Sequence, residues 1–223
     1  MRKLTLSFLP LTFSILLHAQ KDLKDAKWAI SFSLAYVPLP GNGQLGVQPG
    51  VSYQPNKHLS LLTEIAFPIG KNNESDPSFM DKKYIRIKPE IRFLLSNTNE
   101  FKDYIGLQVS YTARSFASAY GFYYSDLPGD SVISYDHASI NSPIITTSVQ
   151  VGSLVVITKS IMLEGFFGVG IRSVNTEYTE VVNPHVSPRE RSWWTVPSYY
   201  YPGNRILFHA NFGIRILYFF RGS

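Results

Sequence analysis

The sequence predicts an all-β protein, an eight-stranded antiparallel up-and-down barrel of the transmembrane kind. Three observations lead there. Apolar residues alternate with small or polar ones at a period of two in segment after segment. Connections alternate between a few residues and long stretches rich in Gly, Pro, Ser, Asn and Tyr. Mean hydropathy is −0.03, so no run after the N-terminal segment is apolar enough to cross a bilayer as a helix. That limit does not touch a barrel, whose strands are only half apolar.

The N-terminus is read separately. Arg2 and Lys3 precede an apolar run from Leu4 to Leu17, and Leu17-His18-Ala19 offers a small residue before Gln20. This is the pattern of a signal peptide at residues 1–19, leaving residues 20–223 as the barrel domain. The run is shorter than the ~20 apolar residues of a membrane-spanning helix. Of 21 basic residues, Arg2 and Lys3 leave with the signal, so 19 − 16 gives +3 for the remainder. That charge is too mild to point to nucleic acid. The 223 residues hold no cysteine, which excludes disulfides, cysteine zinc sites and a lipid-bearing cysteine.

The first strand, Trp28–Val37, sets Trp28, Ile30, Phe32, Leu34 and Tyr36 against Ala29, Ser31, Ser33 and Ala35. A link of intermediate length, Pro38–Leu45, follows. The second strand runs over Gly46–Tyr53, with Pro49 on its apolar face, and Gln54-Pro55-Asn56-Lys57 turns the chain. In the third, Leu59, Leu61, Thr63, Ile65 and Phe67 oppose Ser60, Leu62, Glu64 and Ala66. The fourth, Lys83–Leu94, is the clearest: Ile85, Ile87, Pro89, Ile91 and Phe93 against Arg86, Lys88, Glu90 and Arg92. The fifth sets Ile105, Leu107, Val109, Tyr111 and Ala113 against Gly106, Gln108, Ser110, Thr112 and Arg114. The sixth sets Ile145, Thr147, Val149 and Val151 against Thr146, Ser148, Gln150 and Gly152, before a turn at Thr158-Lys159-Ser160. The seventh sets Leu163, Phe167, Val169 and Ile171 against Glu164, Phe166, Gly168, Gly170 and Arg172. The eighth, Ile206–Tyr218, sets Phe208, Ala210, Phe212, Ile214, Ile216 and Tyr218 against His209, Asn211, Gly213, Arg215 and Leu217. Long loops are expected over Pro68–Lys82, Ser115–Asn141 and Ser173–Gly203, all at one end of the barrel.

Alternation does not say which face is inside. A lipocalin-like soluble barrel also alternates, with its apolar face inward. The small, uncharged face of the first strand suits the lining of a narrow barrel better than a water-facing surface. The loop asymmetry has no reason to exist in a soluble barrel. Aromatic residues collect near strand ends, at Trp28, Tyr36, Tyr53, Tyr84 and Tyr218, where rings with polar handles favour a lipid–water boundary.

The last strand carries a further pattern: a polar residue, a glycine two later, then alternating apolar residues near the C-terminus. These are Asn211, Gly213, Ile216 and Tyr218. On this pattern the chain resembles the small bacterial outer-membrane β-barrel proteins, the OmpA/OmpX-like families. The resemblance implies an outer-membrane location, contact with outer-membrane lipid, and recognition of these four residues by the barrel-assembly machinery. The chain departs from those families in continuing past the aromatic with Phe219–Ser223.

The inward face gathers Glu64, Arg86, Lys88, Glu90, Arg92, Arg114, Glu164, Arg172 and Arg215. A barrel of eight strands is just wide enough for side chains to fill, so these are expected to form an ion-paired network that plugs the lumen. The competing expectation is an anion-preferring path. No catalytic, cofactor or metal constellation stands out. His137-Ala138-Ser139 with Asp136 nearby gives a runner-up, a lipid-modifying enzyme of the lipid A acyl hydrolase type, because general-base work needs a histidine placed on the serine. His209 on the inward face and His185 in Asn183-Pro184-His185 have no second ligand at metal spacing. The loops offer aromatic clusters instead: Trp193, Trp194, Tyr199, Tyr200 and Tyr201, and Phe116 to Tyr124. They suit recognition of an extracellular ligand, or equally packing on a stalk of strands prolonged past the membrane. The function expected is a non-enzymatic outer-membrane barrel with a structural or surface-recognition role. A soluble lipocalin-like carrier is the third reading.

Overall fold

The computed structural model describes residues 27–37, 44–69, 79–95, 101–125, 132–158, 160–187 and 198–220. The expected signal peptide, Trp193 and Trp194 lie outside the described residues, as do parts of the three expected loops.

The described residues form ten strands: β1 (Lys27–Val37), β2 (Gln44–Asn56), β3 (Leu59–Pro68), β4 (Phe79–Leu94), β5 (Phe101–Tyr124), β6 (Val132–Asn141), β7 (Ile144–Val156), β8 (Ile161–Val182), β9 (His185–Ser187) and β10 (Gly203–Phe219). Eight of them close a ring, β1-β2-β3-β4-β5-β7-β8-β10 and back to β1, each pair antiparallel. β6 is the continuation of β7 in the same position of the ring. β5 pairs with β7 through Phe101–Thr112 and with β6 through Ser115–Tyr124. The break between them falls at Ser142 and Pro143, where proline cannot donate to a ladder. Ser142 N still donates to Arg114 O at 2.8 Å, and Pro143 O accepts from Asn175 N at 3.1 Å, so the interruption stays tied to both neighbours.

The turns at one end are short. Asn56 Oδ1 accepts from the backbone of His58 and Leu59, each at 2.9 Å, so the chain reverses at Lys57–His58, slightly later than the tetrapeptide suggested. Thr158 Oγ1 likewise accepts from Ser160 and Ile161. The other end is more regular than the sequence implied. Phe79–Lys82, Ser115–Tyr124, Val132–Asn141, Ser173–Val182 and His185–Ser187, which the sequence assigns to loops, are strand. Glycines, tyrosines and polar residues there disguise the period because the extension is twisted and bulged. Tyr120 and Glu180 sit at φ of 52° and 53°, and a register shift separates His137 from Ser139.

Residues are sorted by face as the alternation required. Ile30, Phe32, Ile65, Ile87, Leu107, Val109, Val149, Phe167 and Val169 point outward and are exposed. Ser31, Ser33, Gln48, Glu64, Glu90, Arg92, Gln108, Gln150, Glu164 and Arg215 point inward and are buried. On β8 the outward apolar run goes from Ile161 to Ile171, close to the ~10 residues a tilted strand needs to cross a bilayer. Trp28 stacks on Tyr53 with centroids 4.5 Å apart at the turn end, near Tyr218 and Phe220. Tyr84 does not belong to that girdle: it faces inward and is buried.

The ring is closed by its first and last strands over a short stretch. β1 pairs with β10 only over Ala29–Ser33 against Arg215–Phe219, with Ile30 opposite Tyr218. β10 meanwhile pairs with β8 from Gly203 to Tyr218. From Leu34 and Ile214 toward the loop end, β1 and β10 have no pairing among the described residues.

Candidate functional site

The lumen holds three stacked environments. At the turn end, inward Ala29, Leu94, Tyr104, Leu154 and Leu217 form a small apolar cluster. Above it lies a charged plug. Arg215 is its hub: its Nη2 donates to Glu64 Oε2 at 2.9 Å and stands 3.5 Å from Glu90 Oε2, and its Nη1 donates to Glu164. Arg92 Nε donates to Glu90 at 2.7 Å and its Nη2 to Glu164 at 2.9 Å. Lys88 Nζ pairs with Glu64 at 2.8 Å. Neutral donors add to these pairs: Gln48 Nε2 on Glu64 at 2.7 Å and Tyr104 Oη on Glu164 Oε1 at 2.6 Å, while Glu164 Oε2 is buried without a hydrogen-bond partner. Phe166 lies beside the guanidinium of Arg215, 4.4 Å from its ring centroid. Three carboxylates thus meet three cations, Lys88, Arg92 and Arg215, and the plug is neutral as a unit. A net charge sealed there would be expensive.

The remaining expected lumen residues do not join the plug. Arg86 Nε donates to Thr112 at 3.0 Å. Arg114 donates to Ser142 and lies over the Tyr199 ring. Arg172 Nε is buried without a hydrogen-bond partner. Between the plug and Arg114 the lumen is not filled, contrary to the expectation of a solid interior. A cavity of about 580 Å³ is bounded by Arg86, Lys88, Arg172, His209 and neutral polar residues, together with apolar side chains that include Ile144, Phe166, Leu34, Phe212 and Ile214. Shortage of bulk explains it: Ser33, Ser110, Thr112 and Thr146 line this level and are too small to fill the width.

Within the expected assembly signature, Asn211 and Gly213 face inward while Ile216 and Tyr218 face outward, about half exposed. A Cβ on Gly213 would come within 2.7 Å of the Phe166 ring, so the glycine leaves room for that ring beside Arg215.

Beyond the plug and cavity, β5, β6 and β8 rise as an extension. Its interior is aromatic: Phe116, Tyr135, Ala138, Ile140 and Tyr199 are buried together. Tyr199 meets Phe116 edge-on at 5.4 Å, Tyr200 stacks on Phe122 at 4.6 Å, and Tyr201 on Tyr124 at 4.9 Å. Tyr178 Oη donates to Tyr199 O at 2.7 Å, tying the short 3₁₀ turn Ser198–Tyr200 to β8. Burial pushes the Tyr135 and Tyr178 phenols above their ordinary range. Tyr199, Tyr200 and Tyr201 thus pack against the extension, Tyr199 buried and Tyr200 and Tyr201 half-buried.

His137 and Ser139 lie on one strand, β6. Ser139 Oγ donates directly to Glu180 Oε2 at 2.7 Å, and Asp136 accepts from Asn183. Among the described residues no hydrogen bond joins His137 to Ser139, and no group of acidic or histidine side chains could hold a metal.

No family model matches the sequence, and no curated protein matches it. Solved structures of similar shape include a major outer membrane protein from Thermus thermophilus, at 13% identity and a TM-score of 0.45, covering 88% of this chain and 100% of that one. Neisserial surface protein A matches at 13% identity and 0.38, covering 87% and 97%. The outer membrane protease OmpT from Escherichia coli matches at 12% identity and 0.40, covering 89% and 98%.

Proposed function

We propose that this chain is an integral outer-membrane barrel, plugged against through-flow, that raises a tyrosine-packed β-extension above the bilayer as a structural and surface-presenting element. One observation carries the reading: the molecule is inside out. Its outward belt is apolar around the ring, while its buried residues are mostly polar or charged. Soluble monomers rarely expose contiguous apolar patches beyond a few hundred Å². A belt of this height around a whole barrel belongs in hydrocarbon, where a closed ladder satisfies the backbone. The short-turn end, with Lys27 of β1 and Phe219 of β10, then faces the periplasm and the extension faces outward, following the loop asymmetry of such barrels. The non-enzymatic part of the reading is supported by Ser139, whose proton goes to a carboxylate and not to His137.

The test is folding and sidedness. In detergent or lipid the chain should gain β-structure and show a heat-sensitive shift in gel mobility. A cysteine at Ser187 should react with an impermeant maleimide on intact cells, and one at Lys57 should not. A chain that folds as a monomer in plain buffer, or the reverse labelling, would sink the reading.

A further inference from the structure

We propose that the parted β1–β10 seam is a lateral portal, and that the cavity behind it takes the head of an anionic amphiphile from the surrounding leaflet while the tail stays in the bilayer. The inference rests on the membrane-barrel reading and goes beyond it.

The seam is the first observation. β10 has no strand partner on its β1 side from Gly203 to Ile214 among the described residues. Its outward side chains stand unusually free there. Phe212 is 85% and Phe208 73% exposed, against 42% for Val169 and 45% for Ile87 in the fully paired wall. In hydrocarbon, unpaired backbone N–H and C=O groups are strongly disfavoured. They are tolerated where they border a polar cavity.

The cavity is the second. Its boundary runs from interior Arg86, Arg172 and His209 to Leu34 on β1 and Phe212 and Ile214 on β10, residues of the outward face on either side of the seam. The space therefore reaches the outer surface through the gap. Its 580 Å³ lies within the ordinary range of ligand sites, about 300–1,000 Å³.

Charge is the third. Among the described residues the lining holds Arg86, Lys88 and Arg172 and no carboxylate. Lys88 is matched by Glu64 in the plug below. Arg86 and Arg172 have no carboxylate partner among the described residues, and the Arg172 Nε is buried and unsatisfied. Two uncompensated guanidiniums in a confined space call for an anion, and their forked donors suit a phosphate or carboxylate head. Leu34, Phe212 and Ile214 at the mouth suit an alkyl chain, so one ligand with an anionic head and an apolar tail satisfies both parts.

The experiment uses the full chain folded in maltoside micelles, with folding checked by heat-sensitive mobility. Dodecyl phosphate is the probe, with dodecyl phosphocholine and inorganic phosphate as controls. One dodecyl phosphate should bind saturably per barrel and raise the melting temperature. Arg86→Gln and Arg172→Gln should each weaken it roughly tenfold, as expected for loss of one charged hydrogen bond, with mobility unchanged. A dodecyl phosphate carrying a diazirine on its tail should form adducts at Leu34, Phe212 or Ile214. Equal binding by wild type and both variants would mean micelle partition and would overturn the proposal. Inorganic phosphate binding as tightly as dodecyl phosphate would replace the amphiphile with a free anion. Adducts confined to the far wall, or a dimer sealed along the seam, would remove the portal. A chain that does not fold in detergent would defeat the barrel reading itself, whereas a folded barrel that binds nothing defeats only the portal.

Discussion

Replacing Glu64 by Gln should upset the plug's charge balance with little change of shape. Glu64 is fully buried and takes Lys88 at 2.8 Å, Arg215 at 2.9 Å and Gln48 at 2.7 Å. The substitution leaves three cations facing Glu90 and Glu164. Arg215 keeps both of those carboxylates, but Lys88 loses its ion-pair partner. Breaking a buried pair from one side costs about 3–5 kcal/mol. Because only Lys88 is fully stranded, the lower end, about 3 kcal/mol, is expected. The double variant Glu64→Gln, Lys88→Gln restores neutrality at two against two. It should be more stable than the sum of the single effects by roughly 2 kcal/mol, within the coupling range of contacting residues. Urea unfolding in lipid vesicles, followed by tryptophan fluorescence, gives midpoints and slopes for the four forms of this cycle. An unchanged midpoint for Glu64→Gln would show a hydrated carboxylate. Strict additivity in the double variant would refute the idea that the plug is held by pairing.

Arginine at Ile87 or Val149, on the outward belt, should cost roughly 2–4 kcal/mol near the bilayer midplane; arginine at the inward neighbour Ser148 should show no such dependence on depth, and equal effects on both faces would contradict the inside-out assignment. Deleting Ile216–Ser223 removes four of the five β10 residues that pair with β1, Ile216 to Phe219; the protein should be exported but not inserted, and normal insertion would refute both the closure and the role expected for Ile216 and Tyr218. Unfolded tyrosine ionises near 10.0, while Tyr135 and Tyr178 hold their protons to higher pH in the folded extension. Their contribution is therefore complete below about pH 10 and is lost as pH rises beyond it; protease cleavage of the extension should accelerate above that pH, less so in Tyr178→Phe, and a pH-independent rate would count against burial of these phenols.

Period-two alternation determined the strands within the belt, because an outward lipid face and an inward lining impose opposite chemistry on adjacent residues. Ile85 to Phe93 against Arg86 to Arg92 could be assigned to faces from the letters alone. The nine inward charges were legible in the same way, since a charge on an otherwise apolar strand has one face open to it. Their partition was not. Strand stagger brings Arg215 of β10 to Glu64 of β3, 151 positions away, and leaves Arg86 and Arg172 outside the plug with a cavity between. No local pattern encodes that stagger. The extension was hidden for a related reason: above the belt neither face meets hydrocarbon, so the alternation that marks a strand disappears while its hydrogen bonds persist. The seam lay furthest from the sequence. Ile206–Ile214 alternates as regularly as any paired strand, because side-chain direction is set by each strand's own pleat, whereas pairing depends on how far two strands stay side by side. Only the tertiary structure decides that β1 leaves β10 after Ser33.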